Sequence, residues 1–387
     1  MFSHRTRWNL ASNRLTTLLH ERRSRGKPVI DLTNSNPTTC EFSFDEDEIL
    51  PPLLNRSCLT YTPDPKGLFV AREAIADWYG RHGVDVDPNH IIITSGTSEA
   101  YSHIFKLLCD PGDHLLIPTP SYPLFEFLTQ LEAIGLSTYR LNYDGEWHID
   151  LSSLKSVQDR AKGIILLHPN NPTGSYIKHM ESAEINRIAA SQGIPLIVDE
   201  VFHPFSMRED TQRARSFAAN TDVLTFTLNG LSKLCGLPQM KLSWIVVSGP
   251  AQQVRNACER LEVIADTYLS VSTPVQLAIS SYLRSDSRFS IIAERVRKNY
   301  SALLKIVADS SVSALAVEGG WSAIMKMPSL KSDESWCEDL LISKGILLHP
   351  GHFYGLESAS HVVCSFLPRS EMFSDGIRSI VDFVNEY

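Results

Sequence analysis

Two lysines stand in an otherwise uncharged stretch, "TFTLNGLSKLCGLPQMKLSWIVV", Thr225 to Val247. A lysine that folding keeps dry loses hydration, its pKa falls, and its amine becomes a nucleophile toward carbonyls. Lys233 follows a β-prone run and Asn229-Gly230. Lys241 follows Gly236-Leu237-Pro238 and opens a second β-prone run. The segment alone also fits two lysines in a surface loop.

Three other segments carry groups suited to the same site. "TSGTSEAYSHIFKLL" sets Gly96, Thr97 and Ser98 between a strand and a helix. Backbone N–H groups at a helix start, flanked by small hydroxyls, suit a phosphate, although Ser and Thr are also ordinary helix caps. "LLHPNNPTGSYI" places Asn171 in a turn after a strand, a common turn composition. "PLIVDEVFHPF" ends an apolar strand on Asp199 and Glu200. A carboxylate there is expensive unless something pairs with it.

These segments belong to an alternation. The runs "HIIITS", "HLLIPTP", "GIILLHP", "PLIVDEV", "DVLTFTL" and "LSWIVVSG" read as strands, with helical patterns between the earlier ones. Short, continuously apolar strands separated by helices predict an α/β fold with a mostly parallel sheet covered on both faces. Ligands then bind beyond the carboxyl ends of the strands. A helical region runs from near Pro250 past Tyr300, followed by short strands and a terminal helix, "SDGIRSIVDFVNEY". The reading is a large domain over residues 45–285 and a smaller α+β domain from 286–387, completed by an N-terminal arm, 1–44. Leu10, Leu15, Leu18 and Leu19 predict that the arm is helical.

The whole composition sets limits. The chain has 387 residues, with 36 Lys plus Arg against 44 Asp plus Glu, a formal charge of −8. That argues against general affinity for nucleic acid or anionic membranes. No apolar stretch is long enough to span a bilayer. Seven scattered cysteines (Cys40, Cys58, Cys109, Cys235, Cys258, Cys337 and Cys364) include no C-x-x-C spacing. A reduced, cytoplasmic chain without a metal centre is expected. The arginine-rich start also has some character of a transit peptide. No G-x-G-x-x-G follows a strand, which removes the dinucleotide dehydrogenases.

Taken in order, "NSNPT", "SGTSEA", "PSYP", "NNPTG", "VDEV", "LSK" and a basic residue eight beyond the lysine resemble the class I and II aminotransferases. These are fold-type I enzymes that use pyridoxal 5'-phosphate (PLP). The resemblance implies that Lys233 carries PLP as a Schiff base and, when released, moves protons as a base. It implies that Asp199 pairs with the pyridine nitrogen and keeps the ring an electron sink. Asn171 would bond the ring's 3-oxygen and approach the substrate carboxylate. Tyr122 would stack on the ring. Gly96, Thr97, Ser98, Ser232 and Lys241 would hold the phosphate. Tyr61, in "LTYTPDPKGL", would reach the partner subunit's phosphate, which requires a homodimer. Asn36 would lie near the substrate, an amino acid or a 2-oxo acid.

Four departures from the family pattern stand out. Phe202 replaces a tyrosine, so the ring oxygen loses a donor. Gly230 replaces a serine, so one phosphate contact is expected to be missing. Lys241 replaces an arginine and lacks its bidentate fork. In "HVVCSFLPRS", Val362 and Val363 stand where a strand arginine would grip the substrate carboxylate. Arg369 is the nearby substitute, with backbone and Asn groups as the other solution. Trp321, Phe353 and Tyr354 are candidates for the substrate side-chain pocket or for core. A transaminase is the first reading. A lyase, cyclising synthase or oxidase on the same fold is the alternative, and a PLP-binding regulator lacks room for a DNA-binding module ahead of "PVIDLTNSNPT".

Overall fold

The computed structural model describes residues 1–156, 161–356 and 360–386. An eight-stranded sheet runs through the centre. Its strands in chain order are Ile91–Thr94 (β1), His114–Thr119 (β2), Gly135–Tyr143 (β3), Trp147–Ile149 (β4), Ala161–Leu167 (β5), Leu196–Asp199 (β6), Thr225–Gly230 (β7) and Ser243–Ser248 (β8). Their spatial order is β1-β8-β7-β6-β5-β2-β3-β4. The block β3-β2-β5-β6-β7 is parallel, as the apolar runs predict. β8 is antiparallel to both its neighbours. An apolar run reads the same in either direction, so the sequence does not show that reversal.

Helices cover both faces. Thr97–Leu108 (α1), Ala251–Tyr268 (α2) and Thr273–Arg284 (α3) flank the β1-β8-β7 side. Ile92, Leu228 and Ile245 pack under α1 and α2 with Ala100, Ile104 and Leu261. On the opposite face, Ile93, Trp244 and Val246 pack with Ala278 and Ile279 of α3. The long helix Ser287–Val307 (α4) leads to a second, antiparallel sheet. Its strands are Ser313–Ala314 (β9), Ser322–Lys326 (β10), His349–Pro350 (β11) and His361–Ser365 (β12), in the order β9-β10-β12-β11. The last helix is Ser370–Asn385 (α5).

One buried core gathers Leu15, Leu32 and Cys40 from the start of the chain with Ile292, Trp321, Trp336, Val362, Phe366, Phe373 and Ile380. The two faces of β12 divide, as strand alternation requires. Val362 and Cys364 enter that core, whereas Val363 and Ile324 pack with Leu116 and Tyr139 of the large sheet. The arm is helical over Arg14–Ser24, where Asn13 accepts a bond from the Thr16 N–H. Leu10 lies outside that helix and is exposed, against the helical spacing read from the sequence. Polar contacts fix the segment before it instead: Trp8 Nε1 donates to Gln130 Oε1 at 2.6 Å. Among the described residues no helix is long and apolar enough to cross a membrane.

Gly174 ties the two sheets together. It adopts φ +71°, a left-handed conformation that side chains disfavour. A Cβ there would meet Gly319 O and Val317 Cγ1, each at 2.6 Å. Gly174→Ala is therefore expected to lower stability by at least about 1 kcal/mol. Urea unfolding of the variant beside the wild type measures it.

Candidate active site

The parallel strands deliver their chemistry at one edge, as such sheets do. β6 ends on Asp199. β7 ends on Gly230 and passes into the short helix Leu231–Leu234, which carries Ser232 and Lys233. β5 is followed by Asn171, β2 by Tyr122, and β1 by Gly96, Thr97 and Ser98 at the start of α1. β8 runs the other way, so its first residues, after Lys241, reach the same edge.

Lys233 is enclosed rather than paired by contact. Its Nζ stands over two aromatic rings, 5.1 Å from the Trp321 centroid and 5.7 Å from that of Phe202. The rings meet edge to face at 5.2 Å. Burial holds the Lys233 pKa below its usual value, opposed by the charge of Asp199. Burial likewise pushes Asp199 up, while the Val201 N–H, the Tyr101 hydroxyl and Lys233 pull it down. Tyr101 Oη donates to Asp199 Oδ2 at 3.0 Å, and Val201 N donates to Oδ1 at 3.1 Å. Nothing in the sequence marks Tyr101. It looks there like one more apolar-face residue of α1; only its distance to the strand-terminal carboxylate reveals it.

The α1 start has the expected form. Gly96 is the N-cap, and no side chain caps the helix. Lys241 takes φ +51° and turns its amine back, so that a Cβ on Gly96 would lie 3.3 Å from Nζ. Ser98 and Lys241 are exposed and Thr97 is half-buried. A cationic amine beside uncapped N–H groups fits a phosphate, and buried Lys233 and Asp199 fit an aldehyde-bearing pyridine.

Asn171 is half-buried, while its neighbour Asn170 is buried and committed to Pro120 O, Thr173 N and Thr173 Oγ1. Tyr122 is exposed beside Ser121, whose N–H donates to Tyr354 O at 2.8 Å. Asn36 is exposed and accepts from Thr38 N and Oγ1. Tyr61 is 69% exposed, near Leu54 and Leu59 at 87% and 89%.

Arg369 does not join this group. Its guanidinium pairs with Glu41 at 3.0 Å and with Glu371 at 3.7 Å, and its side chain is half exposed. Nearness in sequence to β12 suggested it, but the chain turns into α5 there and directs it outward. Val363 is 2% exposed. Across the ladder it faces Ile324 and His349, and His349 Nδ1 lies 2.9 Å from Tyr354 Oη. Trp321 is buried and serves as both core and a wall for Lys233.

His168, Glu200 and His203 bring ligand-type atoms together within 4.8 Å of one another. His168 is already spent on backbone. Its Nδ1 accepts from the Ile177 N–H, so Nε2 carries the proton and donates to Ala214 O. Two donors remain, and Glu200 accepts from Ser216 Oγ and Phe217 N. The trio is best read as internal support beneath Asp199.

Burial pushes Glu200 from 4.5 up to about 7. Between those values the folded chain holds more protons than the unfolded one. Stability therefore falls as pH rises through that window and levels off above it. Glu200→Gln should remove that share of the slope. Chemical denaturation of both proteins between pH 5 and 8 checks it; parallel slopes would contradict it.

With this geometry the chain resembles known proteins over its full length. It is 27% identical over 372 residues to a glutamate-pyruvate aminotransferase of Haemophilus influenzae, covering 94% of this chain and 92% of that one. The alanine aminotransferase of Pyrococcus furiosus superposes with a TM-score of 0.90 at 25% identity, covering both chains completely. An aspartate aminotransferase of Thermotoga maritima shares the fold, with a TM-score of 0.85 at 21% identity over 99% of this chain and 100% of that one. The family model "Aminotransferase class I and II" matches residues 34–372, and the chain belongs to that family.

Proposed function

We propose that this protein is a PLP-dependent transaminase that moves the amino group of an amino acid to a 2-oxo acid, in two half-reactions at Lys233. The observation that carries this reading is the enclosure of Lys233 by Trp321 and Phe202 with Asp199 as its counter-charge. Class I and II aminotransferases generally depend on PLP. When bound, PLP supplies an electron sink for the pair released at the substrate Cα.

The chain's residues would do the rest. Lys233, its pKa lowered by burial, would attack an aldehyde through its unprotonated amine and carry a proton. Asp199, steadied by Tyr101 and Val201, would accept a hydrogen bond from a protonated ring nitrogen. Such a bond to a charged group is worth about 1.5–3 kcal/mol. Asn171 would address the ring oxygen and Tyr122 the ring face. Gly96, Thr97, Ser98, Ser232 and Lys241 would hold the phosphate. Asn36 would stand at the substrate side. We also propose two domains, 45–285 and 1–44 with 286–387.

Tyr61, with exposed Leu54 and Leu59 beside it, supports a homodimer in which this segment is covered by a second copy and Tyr61 reaches the partner's phosphate. The seven cysteines of the described residues are all unpaired thiols, which suits the reducing cytoplasm. Relatives named for alanine, glutamate and pyruvate make those the first substrates to test.

One observation favours a second reading, a different PLP reaction on this fold. By the family resemblance Val362 and Val363 stand where an arginine would grip the carboxylate, and Arg369 is engaged with Glu41 instead. A single turnover separates the two. With L-alanine or L-glutamate, transamination predicts equal amounts of pyridoxamine phosphate and 2-oxo acid. Ammonia or peroxide in place of pyridoxamine phosphate would favour the second reading.

A further inference from the structure

Gly230 and Ser243 face one another across β7 and β8. A Cβ at position 230 would stand 2.2 Å from Ser243 Oγ and 2.8 Å from Ser243 Cβ. No carbon tolerates that approach. Gly230 has φ 177°, extended backbone that any residue adopts, so glycine is here for space and not for conformation. The bare backbone at 230 and the hydroxyl at 243 form one arrangement.

The register tells where the hydroxyl points. Ser243 also pairs with Thr94 on β1. Partners across a ladder share a face, as do residues two apart along a strand. Ile92, Leu228 and Ile245 lie two residues from Thr94, Gly230 and Ser243, and all three pack under α1 and α2. Ser243 therefore faces the side on which α1 begins. Lys241, two residues earlier, brings its amine to Gly96 on that side.

Ser243 is 2% exposed, and its hydroxyl forms no hydrogen bond among the described residues. Buried hydroxyls ordinarily find a partner. An unpartnered hydroxyl, an ammonium and a helix start without a side-chain cap thus lie on one side of the sheet, and a phosphate there could address all three.

We propose that Ser243 donates its hydroxyl to the phosphate of the cofactor, and that Gly230 provides the room it needs. This rests on the PLP reading above. It revises the expectation that glycine at 230 leaves the phosphate one contact short: the hydroxyl has moved to the facing strand.

The test titrates the full chain, stripped of cofactor, with PLP and separately with pyridoxal, which lacks the phosphate. Ser243→Ala should weaken PLP binding roughly ten- to a hundredfold, the range for a hydrogen bond to a charged group, and leave pyridoxal binding unchanged. Gly230→Ser alone should lose affinity through the clash. Gly230→Ser combined with Ser243→Gly returns a hydroxyl to the opposite strand and should restore PLP binding to within about threefold of wild type. Far-UV circular dichroism confirms that each variant is folded; should Ser243→Ala fail to fold, the double variant decides. Wild-type PLP affinity in a folded Ser243→Ala variant, equal losses for PLP and pyridoxal, or a folded double variant without recovery would each overturn the proposal. A wild-type chain that takes up no PLP would instead overturn the cofactor reading itself, and this proposal with it.

Discussion

A lysine amine has to be kept dry, close to one carboxylate and free of a direct ion pair. That constraint organises the rest of the molecule. A parallel sheet satisfies it economically, because adjacent strands end on the same edge. β6 releases Asp199 and β7 releases Lys233 only after Gly230, one short helical turn later. The carboxylate is near enough to act on the amine electrostatically, yet its own oxygens are engaged by Tyr101 and Val201. Two aromatic rings provide walls for the amine without offering it an acceptor. The second sheet supplies one of them, since Trp321 immediately precedes β10.

The departures from the family pattern then differ in kind. Phe202 gives Lys233 an aromatic face. Gly230 and Ser243 pair across β7 and β8, and a side chain at 230 would collide with the Ser243 hydroxyl. Arg369 is held at the surface by Glu41 and does not join the Lys233 site.

Much of the scaffold was legible because burial on both faces imposes continuous apolar runs, and "HIIIT", "GIILL" and "PLIVD" are such runs. Gly96, Asn171, Asp199 and Lys233 could be placed at one sheet edge because each ends or follows such a run. What the sequence concealed were relations across the fold. The reversal of β8 leaves no trace in an apolar run. Tyr101 lies in a helix whose face looks like ordinary core. Arg369 is near β12 in number and turned away from it in space, because α5 begins there. Leu10 follows the arm's helical spacing, but the helix begins only after the Asn13 cap.

The central claim is that Lys233, and no other lysine, carries the cofactor. Borohydride reduction of the purified protein, followed by proteolysis and mass spectrometry, tests it most directly, because reduction fixes a lysine–pyridoxal bond as a stable adduct. A phosphopyridoxyl mass is expected on the peptide containing Lys233 and none on that containing Lys241. An adduct on Lys241 or elsewhere, or no adduct after incubation with PLP, would contradict it.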